Sequence, residues 1–442
     1  MAVMAAGGTI VWFGGAPVPW RGGRPRPHLR SAARPASASH RMPHLPPLPA
    51  TAPIGRRESV RRLAALAVGA PIFLTGRYRL FPDVDREYSA RAIRLVEETA
   101  VVDMLDQFRF ADYAERPPAS ERWLRVPRSF TRDDYETYRT SGIRVFALGH
   151  GAGSYEAGMR FFAEWNAFIA AYDEWFLRID DTTDFERARQ AGKIGIMLTL
   201  QSSDHFRTPD DVDTFFALGQ RASQLTYNFA TRIGAGFLER NDGGLTVFGT
   251  SIVERMNAVG MAVDASHCGD RTTLDTLAAS TKPVIFSHAS CRALVPGHLR
   301  CKTDEMIRLL AKGGGVMGIP MIRFMIRDRE PVTLEHVLDH VDHVARLVGI
   351  EHVGVGSDLD VVGNPNAVNV PPGGRRPQDQ PNFDRYQYHE GEGGRITIAA
   401  LDHPKRMYDL AEGLIARRHS DADISRVLGG NWQRVLSRIW PA

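Results

Sequence analysis

From about residue 99 onward, short runs of β-branched and apolar residues alternate with stretches whose apolar positions recur every three or four residues. The runs read as strands at 99–105, 143–148, 194–201, 223–227, 261–266, 283–288, 315–319 and 353–358. Between them lie helical patterns such as RFFAEWNAFIAAYDEWFLRI, TPDDVDTFFALGQRA, DRTTLDTLAAS, TDEMIRLLAKG and TLEHVLDHVDHVARLVG, several opened by Thr or Asp and closed by Gly. Strands alternating with helices predict parallel pairing, and eight such units predict an α/β fold, the (β/α)8 TIM barrel. In that architecture chemistry sits at the C-terminal ends of the strands. Those ends carry Leu105 to Gln107, Gln201, Tyr227, His267, His288 and Asp358.

Residues 1–55 show no sustained periodicity and are rich in Pro, Arg and Ala, which predicts disorder. Next come Arg56 and Arg57, then an apolar run from Leu63 to Leu74. The run is too short to span a bilayer, but with the arginine pair it matches an export signal of the twin-arginine type at 56–76. The protein is therefore expected outside the cytoplasm, with residues 77–442 forming the barrel. No stretch is long enough for a transmembrane helix. Residues 1–76 hold ten arginines against Glu58 alone, whereas the remainder has 45 basic against 50 acidic residues. The body is thus slightly acidic, and no nucleic-acid partner is expected. Three cysteines, Cys268, Cys291 and Cys301, cannot form a disulfide framework and read as small buried thiols.

His267 in VDASHC and His288 in VIFSHAS end consecutive strands, whose spacing of about 4.8 Å lets the two imidazoles converge on one ion. Asp358 closes the last strand, where a carboxylate serves as general acid/base. Arg300 lies in the loop after His288, placed to receive a substrate carboxylate. The helix carrying His336, His340 and His343 has metal-like spacing but reads as an ordinary crossover helix. The long Gly/Pro-rich stretch 359–402 is expected over the barrel mouth.

The succession GLTVFGTSIVERMNAVGMAVDASHCGDRT, KPVIFSHASCRALVPGHLRCKTDE, GGGVMGI, LDHVDHVARLVGIEHVGVGSDLD and ISRVLGGNWQRVL resembles the renal (membrane) dipeptidase family of zinc peptidases. The likeness runs from about residue 95 to the C-terminus. It implies a metal-dependent barrel hydrolase that cleaves dipeptides with two zinc ions, and a homodimer. Carried over, one zinc's histidines fall on His267 and His288, the acid/base on Asp358 and the carboxylate-binding arginine on Arg300. Four positions depart: the His-x-Asp pair reads Leu105 and Gln107, the bridging glutamate reads Gln201, and the histidine that steadies the tetrahedral intermediate reads Tyr227.

Two divalent ions close together need anionic ligands. His267, His288, Gln201 and Asp358 supply one negative charge, so one zinc per chain is expected, with Gln201 as a ligand and Tyr227 donating to the oxyanion. Asp103 and Asp106 lie close enough in sequence to substitute for the lost pair. The leading expectation is an exported zinc hydrolase acting on dipeptides or similar small amides. The alternative is a non-catalytic exported barrel that binds peptide or cell-wall fragments, its metal site decayed.

Overall fold

The computed structural model describes residues 76–79, 86–108, 119–363 and 397–441. The segment 1–55, almost all of the export signal and residues 364–396 of the long loop lie outside the described residues. Continuous parallel ladders join Val102–Asp106, Val145–Leu148, Ile194–Leu200, Gln220–Gln224 and Ala262–Asp264 in that order. Val353–Val355 pairs in parallel with Met317–Ile319. Between the two sheets runs the segment expected at 283–288, held by single parallel bridges from Ile285 to Asp264 and from Phe286 to Met317. The ring closes where Asp106 bridges Leu359 and the Asp358 N–H donates to the Leu105 carbonyl at 2.9 Å. All eight expected segments therefore lie in one parallel α/β barrel.

Alternation along the strands separates two apolar layers. Val102, Met104, Val145, Ala147, Met197, Ala222, Ala262, Ile285 and Val316 share an inner cluster with Trp432, Val435, Leu436 and Ile439 of the last helix, Asn431–Ile439. Phe146, Leu148, Ile196, Leu198, Val263, Phe286 and Val355 belong to the larger cluster shared with the surrounding helices. The Trp432 indole N–H donates to the Val355 carbonyl at 3.0 Å, and a Cβ at Gly354 would lie 2.4 Å from that nitrogen. Only glycine admits the indole at this point, which explains part of the glycine run in VGVGSD.

Two expectations are corrected. The fourth strand lies three residues earlier than 223–227, because its buried polar residues find partners inside the fold. Gln220 bonds the His205 ring at 3.0 Å, and the Arg221 guanidinium donates to the Asp180 and Phe216 carbonyls at 2.6 and 2.9 Å. The helical pattern at 160–179 breaks after Tyr155–Ala171, and Phe176–Arg178 forms a short strand on Ile194–Ile196.

Local signals aim the site. The Thr246 hydroxyl accepts from the Gly249 N–H and opens the helix Val247–Val259, which Gly260 closes at a φ of 84°. Ala262–Asp264 follows at once and delivers His267 to the barrel mouth.

Candidate active site

The two strand-end histidines meet. His267 Nε2 and His288 Nε2 lie 2.9 Å apart, with both rings buried. Each ring is held from behind: His267 Nδ1 is 2.9 Å from Asn228 Oδ1, and His288 Nδ1 is 2.8 Å from Ser287 Oγ. Burial, and then the Arg300 guanidinium, hold both imidazoles well below their ordinary pKa, so at neutral pH both are uncharged, the form that ligates metals. The Tyr227 ring stacks on His267 with centroids 4.4 Å apart, and the residue stays 46% exposed.

Asp358 follows Val353–Val355, which Met317–Ile319 separates from the His288 segment, and lies in the left-handed region, φ 58°, a conformation that non-glycine residues adopt only where the surroundings hold it. Its Oδ1 accepts from Gln107 Nε2 at 2.9 Å. Gln107, at one of the departed positions, is thus an orienting partner of Asp358. Leu105, at the other, contributes its carbonyl to the Asp358 N–H.

Arg300 is placed differently from expectation. It is 2% exposed, and its Nη1 and Nη2 donate to the carbonyls of Ser266 and His288 at 2.6 and 2.9 Å. Two of its five N–H groups are thus spent on main chain. In this structure it is a strut between the two histidine-bearing strand ends rather than an open carboxylate receptor. Lys302, also buried, donates to the Cys268 carbonyl at 2.9 Å, and burial pushes its pKa down to about 8.

Gln201 is buried and faces inward, lining a cavity of about 10 Å³ with Gln224, Asp264 and Ser287. Asp103 and Asp106 do not replace the lost ligands. Asp106 Oδ2 accepts from the buried Arg406 at 3.1 Å, and Asp103 Oδ2 lies 4.0 Å from the same guanidinium. The helix Leu334–Val348 uses its histidines structurally: His336 caps on Thr333, His340 bonds the Cys291 N–H and the Ile326 carbonyl, and His343 pairs with Asp304. Cys268, Cys291 and Cys301 are buried free thiols.

Sequence reasoning missed His150, which follows the second strand, Val145–Leu148, and bridges Leu200. It lines a cavity of about 430 Å³ together with Trp165, Arg125 and Arg160. FALGH has the same apolar-run-then-histidine pattern as VDASH and VIFSH, so a signal was available.

Among the described residues no group of three or more His, Cys, Asp and Glu side chains could hold a metal. The convergent, neutral imidazole pair has the donor chemistry for one ion. With amides at Gln107 and Gln201, it lacks the carboxylates a pair of ions would need.

Residues 155–369 match the family model of the membrane dipeptidases, peptidase family M19. The chain is 34% identical to dipeptidase verJ of Clonostachys rogersoniana over 261 residues, 58% of this chain and 57% of that protein. It is 42% identical to dipeptidase tcpJ of Claviceps purpurea over 118 residues, 26% of this chain and 28% of that protein. The chain thus matches little more than half the length of the first of these relatives and less of the second. An amidohydrolase structure from Pseudomonas aeruginosa superposes with a TM-score of 0.64 at 25% identity, covering 79% of this chain and 99% of that one. A metallopeptidase from Rhodobacter sphaeroides, solved with a phosphinate mimic of L-Ala-D-Ala, superposes with a TM-score of 0.60 at 16% identity. It covers 77% of this chain and 99% of its own, a likeness of fold. No helix among the described residues is long and apolar enough to cross a membrane.

Proposed function

We propose that this chain, whose residues 155–369 match the membrane dipeptidase family model, is a metal-dependent hydrolase of dipeptides or similarly small amides. The observation that carries the reading is the facing pair of neutral imidazole nitrogens, 2.9 Å apart, at the C-terminal end of the barrel. His267 and His288 would hold one zinc ion. Such an ion supplies Lewis acidity, polarising the scissile carbonyl and acidifying water near neutral pH.

The chain's own groups do the rest. Asp358, oriented by Gln107, takes the proton of the attacking water and returns it to the leaving amine. The Tyr227 phenol, exposed beside His267, donates to the developing oxyanion. Arg300 and Lys302 lie buried near the pair, and their positive field attracts the carboxylate of a short peptide. Arg300 also ties the two histidine strands together.

Elemental mass spectrometry on full-length protein purified without chelators tests the reading. About one zinc per chain is expected, as for a catalytic site with an open position; none, after zinc is added back, would overturn it. In the same measurement Gln201→Glu should raise metal occupancy, because a carboxylate would offset part of the charge of a second ion. Unchanged occupancy would mean that residue 201 does not reach the metal.

We also propose export through the Arg56–Arg57 leader, and assembly as a homodimer, which light scattering would check. In a host with twin-arginine export, replacing Arg56 and Arg57 by lysine should leave the protein in the cytoplasm. Cell fractionation that finds it exported as before would rule that leader out.

A further inference from the structure

Neutral imidazole carries one N–H and one lone pair, so the partner of Nδ1 decides what Nε2 offers. For His288 the network settles the matter. Asp264 accepts from the Ser266 hydroxyl at 2.6 Å and from the Ser287 hydroxyl, which spends the single proton of each serine. The Ser266 and Ser287 backbone N–H groups also donate to Asp264, at 2.9 and 3.1 Å. Ser287 Oγ can then only accept from His288 Nδ1, 2.8 Å away. The proton sits on Nδ1, and Nε2 presents its lone pair.

His267 faces that lone pair at 2.9 Å. The tautomer of His267 therefore decides whether the two nitrogens can hold one cation, which needs a lone pair on both. Asn228 presents its amide oxygen to His267 Nδ1 at 2.9 Å, and an amide oxygen only accepts, so Nδ1 carries the proton and Nε2 the lone pair. Its main chain is pinned: the Leu238 N–H donates to the Asn228 carbonyl at 2.9 Å, and the Phe237 N–H to the His267 carbonyl at 2.9 Å. A Cβ at Gly236 would lie 2.4 Å from the Asn228 carbonyl carbon, so the loop can pack this closely only with glycine there.

We infer that Asn228 and the Asp264–Ser287 pair are positioning residues that set both imidazoles as Nδ1–H forms, so that the two Nε2 lone pairs converge on one cation. This rests on the single-metal reading and adds the residues that make the pair a competent donor set.

The test reads zinc affinity by chelator competition and tautomers by nitrogen-15 NMR of histidine-labelled, full-length protein. Asn228→Leu, which removes both amide functions, should weaken zinc binding by about 10- to 100-fold, the usual effect of losing such a partner. Asn228→Asp, which keeps an acceptor for the metal-bound form, should restore most of it. Ser287→Ala should weaken binding similarly, and Ser287→Thr should restore it. In zinc-loaded wild type both His267 and His288 should be the Nδ1–H tautomer, and Asn228→Leu should lose that preference at His267 alone. A wild type that takes up no zinc would sink the metal reading and this inference with it. A wild type that binds zinc, with Asn228→Leu binding it equally or His288 found as the Nε2–H form, would sink the tautomer assignment alone.

Discussion

His267→Ala should be isolated without zinc and with dipeptide hydrolysis reduced by about 1,000-fold or more, a barrier increase of about 4 kcal/mol. Zinc in a catalytic site usually has three protein donors, and here the imidazoles of His267 and His288 are the convergent pair, so removing one leaves no chelating arrangement. The same change unstacks Tyr227 and leaves the Nε2 of His288 facing a void, so activator and oxyanion donor are lost together. Elemental mass spectrometry and a dipeptide assay on the same preparation check the expectation, with thermal melting as the control for folding. Retained activity at wild-type level would remove His267 from the mechanism.

Much of this arrangement could be read from the chain, and the division follows the range of the interactions. The strands leading to His267, His288 and Asp358 are mostly apolar, as strands covered by helices outside and side chains inside must be, and they stand out as short apolar runs. QRASQ at 220–224 is equally a barrel strand but carries its polarity inside, satisfied by Asp180, Phe216 and His205, groups that local sequence does not reveal. The pairing of Gln107 with Asp358 joins residues 251 apart, so the substitution at 107 read as the loss of a ligand and not as a new orienting contact. Arg300 shows the opposite limit. Its place near the site was legible, but its engagement with two strand-end carbonyls depends on how the loop folds back.

The largest stability effect lies behind the first strand. Asp103, Asp106 and Arg406 are all fully buried, and the guanidinium of Arg406 reaches Asp106 at 3.1 Å and the carbonyls of Asp360 and Val361 at 2.8 and 3.1 Å. One cation therefore serves two carboxylates and the chain leading away from Asp358. Burial raises the pKa of Asp103, and burial followed by the charge of Asp103 raises that of Asp106 further, with Arg406 opposing both shifts. Arg406→Met keeps much of the side-chain volume but leaves two buried carboxylates without their cation. Breaking a buried pair in this way costs about 3–5 kcal/mol. The sign with pH follows from linkage. A carboxyl whose folded pKa lies above its unfolded value of about 4 holds its proton longer in the folded state, so stability falls as pH rises through that interval. Removing Arg406 widens the interval, because its opposing effect is gone. Urea unfolding should therefore find the variant's deficit greatest near pH 8 and smaller near pH 5, where the carboxyls can protonate. A deficit independent of pH would assign the loss to packing around residue 406 rather than to the stranded charges.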